Sequence, residues 1–131
     1  MGVKLLLDTR AVVWWWLDDP RLPAKARAVI ADQANTVHVS AVSAWEVATK
    51  SRLGKWPDVE RIGDEFPSLL RRSRFAPMPI SVEHARNAGA LAGAHRDPFD
   101  RMLIAQSKAE NAALVSRDAM FREFEVEVIW D

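Results

Sequence analysis

The sequence contains no cysteine among its 131 residues. This absence excludes disulfide bonds, zinc sites with thiolate ligands and a thiol nucleophile. Apolar runs are also short, since the longest covers residues 11–17 and lies between Asp8 and Asp18, well below the roughly 18 residues of a membrane-spanning helix. The first four residues, MGVK, lack the apolar region and cleavage site of a signal peptide. We therefore expect a cytoplasmic protein without a membrane segment.

The chain also lacks an excess of charge of either sign, because it has 18 basic and 18 acidic side chains. Proteins that hold nucleic acid mainly by overall charge are clearly basic. A polyanionic substrate would therefore have to be held by local patches, by shape or through a bound metal. Hydrophobic residues make up 49% of the chain, and we find no repeat, low-complexity tract or Gly/Ser linker. The length and composition predict one domain over residues 1–131 with one continuous core.

Short β-rich apolar runs alternate with stretches of helical spacing. Strands are predicted at Val3–Leu7, Thr36–Ser40, Ala113–Ser116 and Val126–Trp130, with an extended connection or short strand at Phe75–Ile80. Helices are predicted at Thr9–Leu17 with Thr9 as the cap, Leu22–Gln33, Ser43–Leu53, within Pro57–Ser73, Ser81–Ala94, Pro98–Glu110 and Asp118–Phe124. This alternation predicts an α/β fold with a central, mostly parallel sheet between two layers of helices.

Four acidic residues stand at corresponding places in this pattern. Asp8 closes the first strand, and Asp118 follows the strand Ala113–Ser116 by two residues. Glu46 and Asp100 lie in the first turns of two predicted helices. Ligands of parallel sheets bind beyond the carboxyl ends of the strands, so the four carboxylates are expected to meet at one edge. Taken singly, each of these acids could instead serve as a helix cap or favour a helix dipole.

Carboxylates that stand close together raise each other's pKa unless a cation neutralises them. Mg²⁺ is the natural cation here and Mn²⁺ an alternative, because both prefer oxygen ligands and leave positions for water and phosphate. Such an ion lowers the pKa of a bound water and stabilises charge on a phosphorane-like transition state, and one ion or two would serve. The arrangement therefore suits phosphodiester hydrolysis.

Four segments of the sequence resemble the motifs of PIN domains, in the family's order. They are Leu5–Thr9 (LLLDT), Val39–Glu46 (VSAVSAWE), His95–Gln106 (HRDPFDRMLIAQ) and Leu114–Asp118 (LVSRD). The third is the most specific, and the likeness runs from Val3 to Trp130. Within the family the chain is most similar to the VapC subgroup, the toxins of bacterial toxin–antitoxin pairs.

The resemblance implies a PIN-like three-layer fold and a Mg²⁺-dependent endoribonuclease that acts on structured RNA. It also implies an antitoxin partner and a homodimer. Asp8 and Asp100 would be the principal Mg²⁺ ligands, with Glu46 and Asp118 completing the catalytic set. Thr9 belongs to the first motif, and Ser116 takes the place of the small hydroxyl residue that supports the fourth acid.

Three residues near these motifs have more than one possible role. Asp97 could orient a metal-bound water or cap the helix that begins at Pro98. Arg10 stands where many relatives carry histidine, and since a guanidinium cannot accept a proton, we expect it to pair with a core acid rather than to contact phosphate. His95 is close enough in sequence to act on substrate, but a hydrogen-bonded structural role is the expectation.

Basic and aromatic residues outside the acidic motifs are further candidates for contacts. The arginines at 71, 72 and 74, and those at 96, 101, 117 and 122, could contact phosphate or form ion pairs on solvated faces. Trp14–Trp16 point about 100° apart on a helix, so we expect at least one of them at the surface, as a protein interface rather than a base-stacking platform. An apolar surface near this helix is expected to accept an amphipathic segment of a partner.

Other classes of protein fit less well. A phosphotransferase of the haloacid-dehalogenase type needs a second Asp two residues after the first, where Arg10 stands. A response-regulator receiver would require a downstream lysine at a spacing that this chain does not match. A non-catalytic RNA- or protein-binding PIN-like module stays open as the alternative, although the presence of all four acids argues against a decayed site.

Overall fold

The computed structural model describes residues 2–93 and 97–131. The strands are β1 (Lys4–Leu7), β2 (Thr36–Ser40), β3 (Ala76–Met78), β4 (Ala113–Val115) and β5 (Val128–Ile129). The α-helices are α1 (Thr9–Trp16), α2 (Ala24–Ala31), α3 (Ala41–Leu53), α4 (Phe66–Ser73), α5 (Val82–Ala90) and α6 (Pro98–Glu110). Short 3₁₀ helices cover Pro57–Arg61 and Ala119–Phe124.

The five strands form one parallel sheet in the order β3-β2-β1-β4-β5. The chain first builds outward from β1 to β3 and then crosses to the other side of β1 to add β4 and β5. The direction of winding therefore changes between β1 and β4, where open α/β sheets form their binding crevice. The backbone N–H of Asp8 donates to the Val115 carbonyl at 3.0 Å, which ties the ends of these two strands together.

Alternate residues of β1 supply two separate cores, because successive side chains of a strand point to opposite faces. Leu5 and Leu7 pack with residues of α1 and α2 in one cluster, whereas Leu6 packs with Leu103 and Ile104 of α6 in the other. Helices thus cover both faces of the sheet. The predicted α/β fold with a parallel sheet between helical layers is confirmed.

The helix ends follow their local sequence signals, with one correction. Gly54 ends α3 in the left-handed conformation at φ 66°, and the Ser81 side chain caps α5. Thr9 was the predicted cap of α1, and this was wrong. Asp8 has the extended backbone of a capping residue and accepts the Ala11 N–H at 2.7 Å, so Thr9 is the first helical residue.

The tryptophan run does not form the exposed surface that its spacing predicted. Trp14 is 2% exposed and contacts Trp130, with ring centres 6.0 Å apart. Trp15 and Trp16 are half-buried, and the Trp16 indole N–H donates to Ser73 Oγ at 2.7 Å. Trp15 and Trp16 are partly covered because Phe75, just before β3, contacts Trp15 and Phe66 of α4 contacts Trp16, with ring centres 6.2 and 4.9 Å apart. Among residues 2–93 and 97–131, every helix is too short or too polar to span a bilayer.

Candidate functional site

A cavity of about 170 Å³ lies at the carboxyl edge of the sheet, where β1 and β4 end. The residues that line it are Asp8, Thr9, Arg10, Glu46, Lys50, Asp97, Asp100, Asp118 and Phe121. The four acids that the sequence placed at this edge therefore lie around one cavity, together with Asp97. They arrive from four segments because each of those segments follows a strand or begins a helix beside the same sheet edge.

Asp8 is the acid whose ionisation the surroundings change most. Burial raises its pKa from 3.8 to about 6, while hydrogen bonds from Ser116 and from the Ala11 N–H act in the opposite direction. The nearby charges of Asp100 and Glu46 raise the pKa further. The ionised form of Asp8 is thus destabilised in the folded protein, first by burial and then by its acidic neighbours.

Glu46 lies on α3 and is buried, with 8% of its surface exposed. Lys50 stands one turn further along the same helix and donates from Nζ to Glu46 Oε2 at 2.5 Å. Lys50 was not among the residues selected from the sequence, although its i,i+4 spacing from Glu46 was a usable signal. The acidic cavity therefore contains a cation that belongs to the protein itself.

Asp97 and Asp100 stand at the beginning of α6. The Asp97 carboxylate accepts the backbone N–H groups of Phe99 at 2.9 Å and of Asp100 at 3.2 Å. The capping role predicted for Asp97 is therefore observed, and the same side chain also faces the cavity. By fixing the first turn of α6, Asp97 sets the position of Asp100.

Ser116 links the acids at the ends of β1 and β4. Its hydroxyl is fully buried, contacts the Asp8 carboxyl group and accepts the Asp118 N–H at 3.0 Å. Asp118 is exposed, and its carboxylate accepts the Met120 N–H at 3.0 Å. Asp118 thus faces the cavity from its solvent side while it caps the 3₁₀ helix.

A buried pair of hydroxyl groups joins α1 to α3. Thr9 Oγ1 lies 3.0 Å from Ser43 Oγ, and these residues neighbour Asp8 and Glu46 on their respective helices. Ser43 was not selected from the sequence, since nothing in its spacing shows that it meets Thr9. The pair joins α1, which Asp8 caps, to α3, which carries Glu46.

The arginines near the motifs have different surroundings. Arg10 is exposed and lines the cavity, but the ion pair with a core acid that we expected is not seen among residues 2–93 and 97–131. Arg101 donates to the Ala88 and Leu91 carbonyls at 2.9 and 2.7 Å, so it closes the end of α5. The Arg117 guanidinium lies 5.2 Å from the centre of the Trp14 ring.

The remaining polar candidates are placed away from the cavity or outside the described residues. Arg71, Arg72 and Arg74 are exposed at the end of α4, and Arg72 lies 4.0 Å from Glu65. Arg122 donates to the Val128 carbonyl at 3.3 Å. The interpretations of His95 and Arg96 fall on residues outside those that the structure describes.

The donor set of the cavity suits a hard divalent cation. Apart from Arg10 and Lys50, the described polar side chains that line it offer only carboxylate and hydroxyl oxygens, the ligands that Mg²⁺ and Mn²⁺ prefer. Across the described part of the chain, no three His, Asp or Glu side chains are grouped closely enough to hold an ion between them. Mg²⁺ commonly takes one or two carboxylates directly and keeps several waters, so the chemistry of these residues fits the ion.

Comparison with known proteins gives concordant matches. The model of the PIN domain family matches residues 5–127. A stretch of 73 residues is 42% identical to ribonuclease VapC16 of Mycobacterium tuberculosis and covers 53% of this chain and 50% of that protein. The chain therefore spans about half the length of that curated relative.

Several solved structures share the fold. VapBC2 of Rickettsia felis, bound to a DNA fragment from its promoter, superposes with a TM-score of 0.70 at 19% identity, covering 98% of this chain and 100% of that one. VapBC-1 of nontypeable Haemophilus influenzae gives a TM-score of 0.69 at 14% identity, covering 97% of each chain. A toxin–antitoxin complex from Klebsiella pneumoniae gives 0.65 at 16% identity, covering 95% of each. At these identities the likeness is one of fold.

Proposed function

Because the chain belongs to the PIN domain family, we propose that it is a metal-dependent endoribonuclease of the VapC type, the toxin of a toxin–antitoxin pair. The observation that carries the proposal is the single cavity lined by Asp8, Glu46, Asp100 and Asp118. Its position at the change of winding between β1 and β4 is the expected binding crevice of such a sheet. The partial match to a ribonuclease supports the same reaction class.

In the proposed mechanism Asp8 and Asp100 would hold Mg²⁺, or Mn²⁺, and Glu46 and Asp118 would complete the acidic set. When bound, the ion would supply a water of lowered pKa and charge stabilisation for the phosphodiester. Ionised Asp8 is destabilised in the folded chain, so a cation beside it would favour its carboxylate form. The bound ion would thus neutralise the carboxylates of Asp8 and Asp100, and no basic side chain would be required beside them.

The supporting residues hold these acids in place. Ser116 contacts Asp8 and the backbone of Asp118, so one buried hydroxyl orients the acids that follow β1 and β4. Thr9 and Ser43 keep α1 against α3. Asp97 fixes the first turn of α6 through two backbone hydrogen bonds, and from the cavity wall its carboxylate can also accept a hydrogen bond from a water.

The proposed substrate is a folded RNA cut at one or a few exposed single-stranded positions. The formal net charge of the chain is zero, so a broad phosphate-binding surface would be unusual. Selection would then rest on the shape of the RNA and on unpaired bases that can enter a site. We expect the folded RNA to be cut at discrete positions.

The proposed partners are an antitoxin and a second copy of this chain. The antitoxin would place a basic side chain in the acidic cavity, where a charge-assisted pair with a carboxylate is strong. For the homodimer, the proposed surface is the apolar one around Trp45, whose side chain is 57% exposed. An apolar cavity of about 180 Å³ on this surface is lined by Val42, Trp45, Ala88, Gly89, Pro98, Arg101 and Met102.

Cleavage mapping on total cellular RNA tests the nuclease. Wild type with Mg²⁺ should cut at discrete sites, EDTA should abolish cutting, and Asp100→Asn should fold normally but lose at least about 100-fold in rate, as expected for a lost metal ligand. Asp64→Asn is the matched control, because Asp64 is an exposed acid outside the cavity. Full activity in EDTA would contradict the proposal, and RNA binding by wild type without cleavage would support a non-catalytic module instead.

A further inference from the structure

Lys50 is one of the two cationic side chains that line the acidic cavity within the described residues. It lies in the last turns of α3 and lines the cavity together with the four proposed catalytic acids. Its side chain is 33% exposed, while the Glu46 side chain beside it is 11% exposed. The ammonium group is therefore half-buried and can still be reached by a ligand that enters the cavity.

Two contacts hold the Lys50 ammonium on this side of the cavity. It donates to Glu46 Oε2 at 2.5 Å and lies 5.6 Å from the centre of the Trp56 ring. Trp56 comes within reach because α3 ends at Gly54 with φ 66° and the Lys55 N–H then bonds back to the Lys50 carbonyl at 3.0 Å. A lysine side chain normally loses much rotamer freedom on binding, and here part of that freedom is already removed.

The charge around the cavity explains why such a cation is useful. Among residues 2–93 and 97–131, five carboxylates and two cations line it, and their formal charges sum to −3. One divalent ion would reduce this to −1, so an incoming phosphodiester would still meet a repulsive site. Of the two cations, Arg10 is exposed, whereas Lys50 is held by Glu46 and Trp56.

We propose that Lys50 is a phosphate-binding residue of this site and contacts a non-bridging oxygen of the RNA phosphate in the cavity. An ammonium group has three N–H donors, and the pair with Glu46 uses one of them. Lysine recognises phosphate as a point charge, and no proton has to move for this contact. The inference rests on the proposed nuclease function and assigns the substrate contact that the acids cannot make.

Salt-dependent RNA binding tests the role of Lys50. The affinity of a labelled hairpin RNA with a single-stranded loop is measured against NaCl concentration with the Asp100→Asn protein, so that the RNA stays intact. Adding Lys50→Met, which keeps the aliphatic chain, should weaken binding about tenfold at low salt, the loss expected for a hydrogen bond to a charged group. It should also reduce the slope of log K against log[salt] by about 0.7–0.9, the change for one lost phosphate contact.

Two variants control for charge and for position. Lys50→Arg keeps the charge and should restore most of the slope. Arg52→Met removes an exposed cation from the same helix and should leave the slope within error of the parent protein. Lys50→Gln serves as a second neutral variant if Lys50→Met does not show the parent circular dichroism spectrum.

Mg²⁺ titration by calorimetry separates the proposal from a purely structural role. If Lys50 only shields Glu46, the neutral variants should bind Mg²⁺ more tightly and keep the parent salt slope, and this result would overturn the proposal. A reduced slope in the neutral variants and a normal slope in Lys50→Arg supports it. The two proposals fail separately, because absence of cleavage by the wild type overturns the nuclease, whereas an unchanged salt slope overturns the role of Lys50.

Discussion

Replacing Asp8 by Asn removes a charge that the folded protein accommodates poorly. Asn is about as good a helix cap as Asp, so its side-chain oxygen can still accept the Ala11 N–H that Asp8 accepts at 2.7 Å. The two side chains have nearly the same size, and the amide carries no charge toward Asp100 and Glu46. We therefore expect Asp8→Asn to stabilise the protein at neutral pH while it inactivates the proposed nuclease.

The size of the effect follows from the pKa of Asp8. Its folded-state pKa of about 6 lies above the ordinary 3.8, so between these values the folded state binds the proton more tightly than the unfolded state does. Stability therefore falls as pH rises from about 4 to about 6, and the cost stays constant above that range. The full difference corresponds to about 3 kcal/mol. Because the carboxyl group is only half-buried, solvent screening reduces the expected gain to about 1–3 kcal/mol.

Urea unfolding in EDTA at pH 7.5 and pH 4.5 measures this gain. At pH 7.5 the free energy of unfolding of the variant should exceed that of the wild type by about 1–3 kcal/mol. At pH 4.5 Asp8 is largely protonated in the folded state, so this difference in free energy should shrink by more than half. Asp64→Asn, at an exposed acid, should show no comparable gain. A variant that is less stable than wild type at pH 7.5, or a gap that does not depend on pH, would refute the reasoning.

Two further substitutions test separate features of the structure. Ser116→Ala removes the buried hydroxyl that contacts Asp8 and accepts the Asp118 N–H, so unfolding free energy should fall by about 1–3 kcal/mol; an unchanged urea midpoint would contradict this. Trp45→Glu places a charge on the exposed apolar surface and should convert the proposed dimer to a monomer in light scattering. Leu53→Glu, at a 48% exposed residue near the end of the same helix, should stay dimeric, and a Trp45→Glu dimer would show that this surface is not the interface.

Much of the fold could be predicted because its signals are local. The alternating residues of Thr36–Ser40 predict β2 with the same bounds as in the structure. Pro98 likewise predicts the first residue of α6 correctly. The assignment of Thr9 as a cap failed because Asp8 and Thr9 are both capping residues, and only the backbone angles decide between them. The edge at which the acids meet could likewise be predicted, because parallel strands all end at the same edge of the sheet.

The contacts that depend on distant segments could not be predicted. Helical spacing shows that Trp14–Trp16 point in different directions, but it does not show that α4 lies beside α1 to cover them. Lys50 reaches Trp56 only through the turn after Gly54, and the Thr9–Ser43 pair depends on how α1 meets α3. Such details are set by tertiary packing, which periodicity does not describe.

The hydrogen bond from the Asp8 N–H to the Val115 carbonyl has a consequence for how the protein can be controlled. This bond continues the pairing of β1, the central strand, with β4, and both strands are buried. Local opening is easiest where a segment is held by few apolar contacts and by exposed hydrogen bonds. Asp8, in contrast, directly follows the buried central strand and is tied to its buried neighbour β4. Local opening at this point would require separating β1 from β4 in the middle of the sheet, so Asp8 keeps its position for as long as the sheet stays intact. If a partner restrains the proposed nuclease, occupying the cavity is therefore an easier route than melting the strand end that carries Asp8.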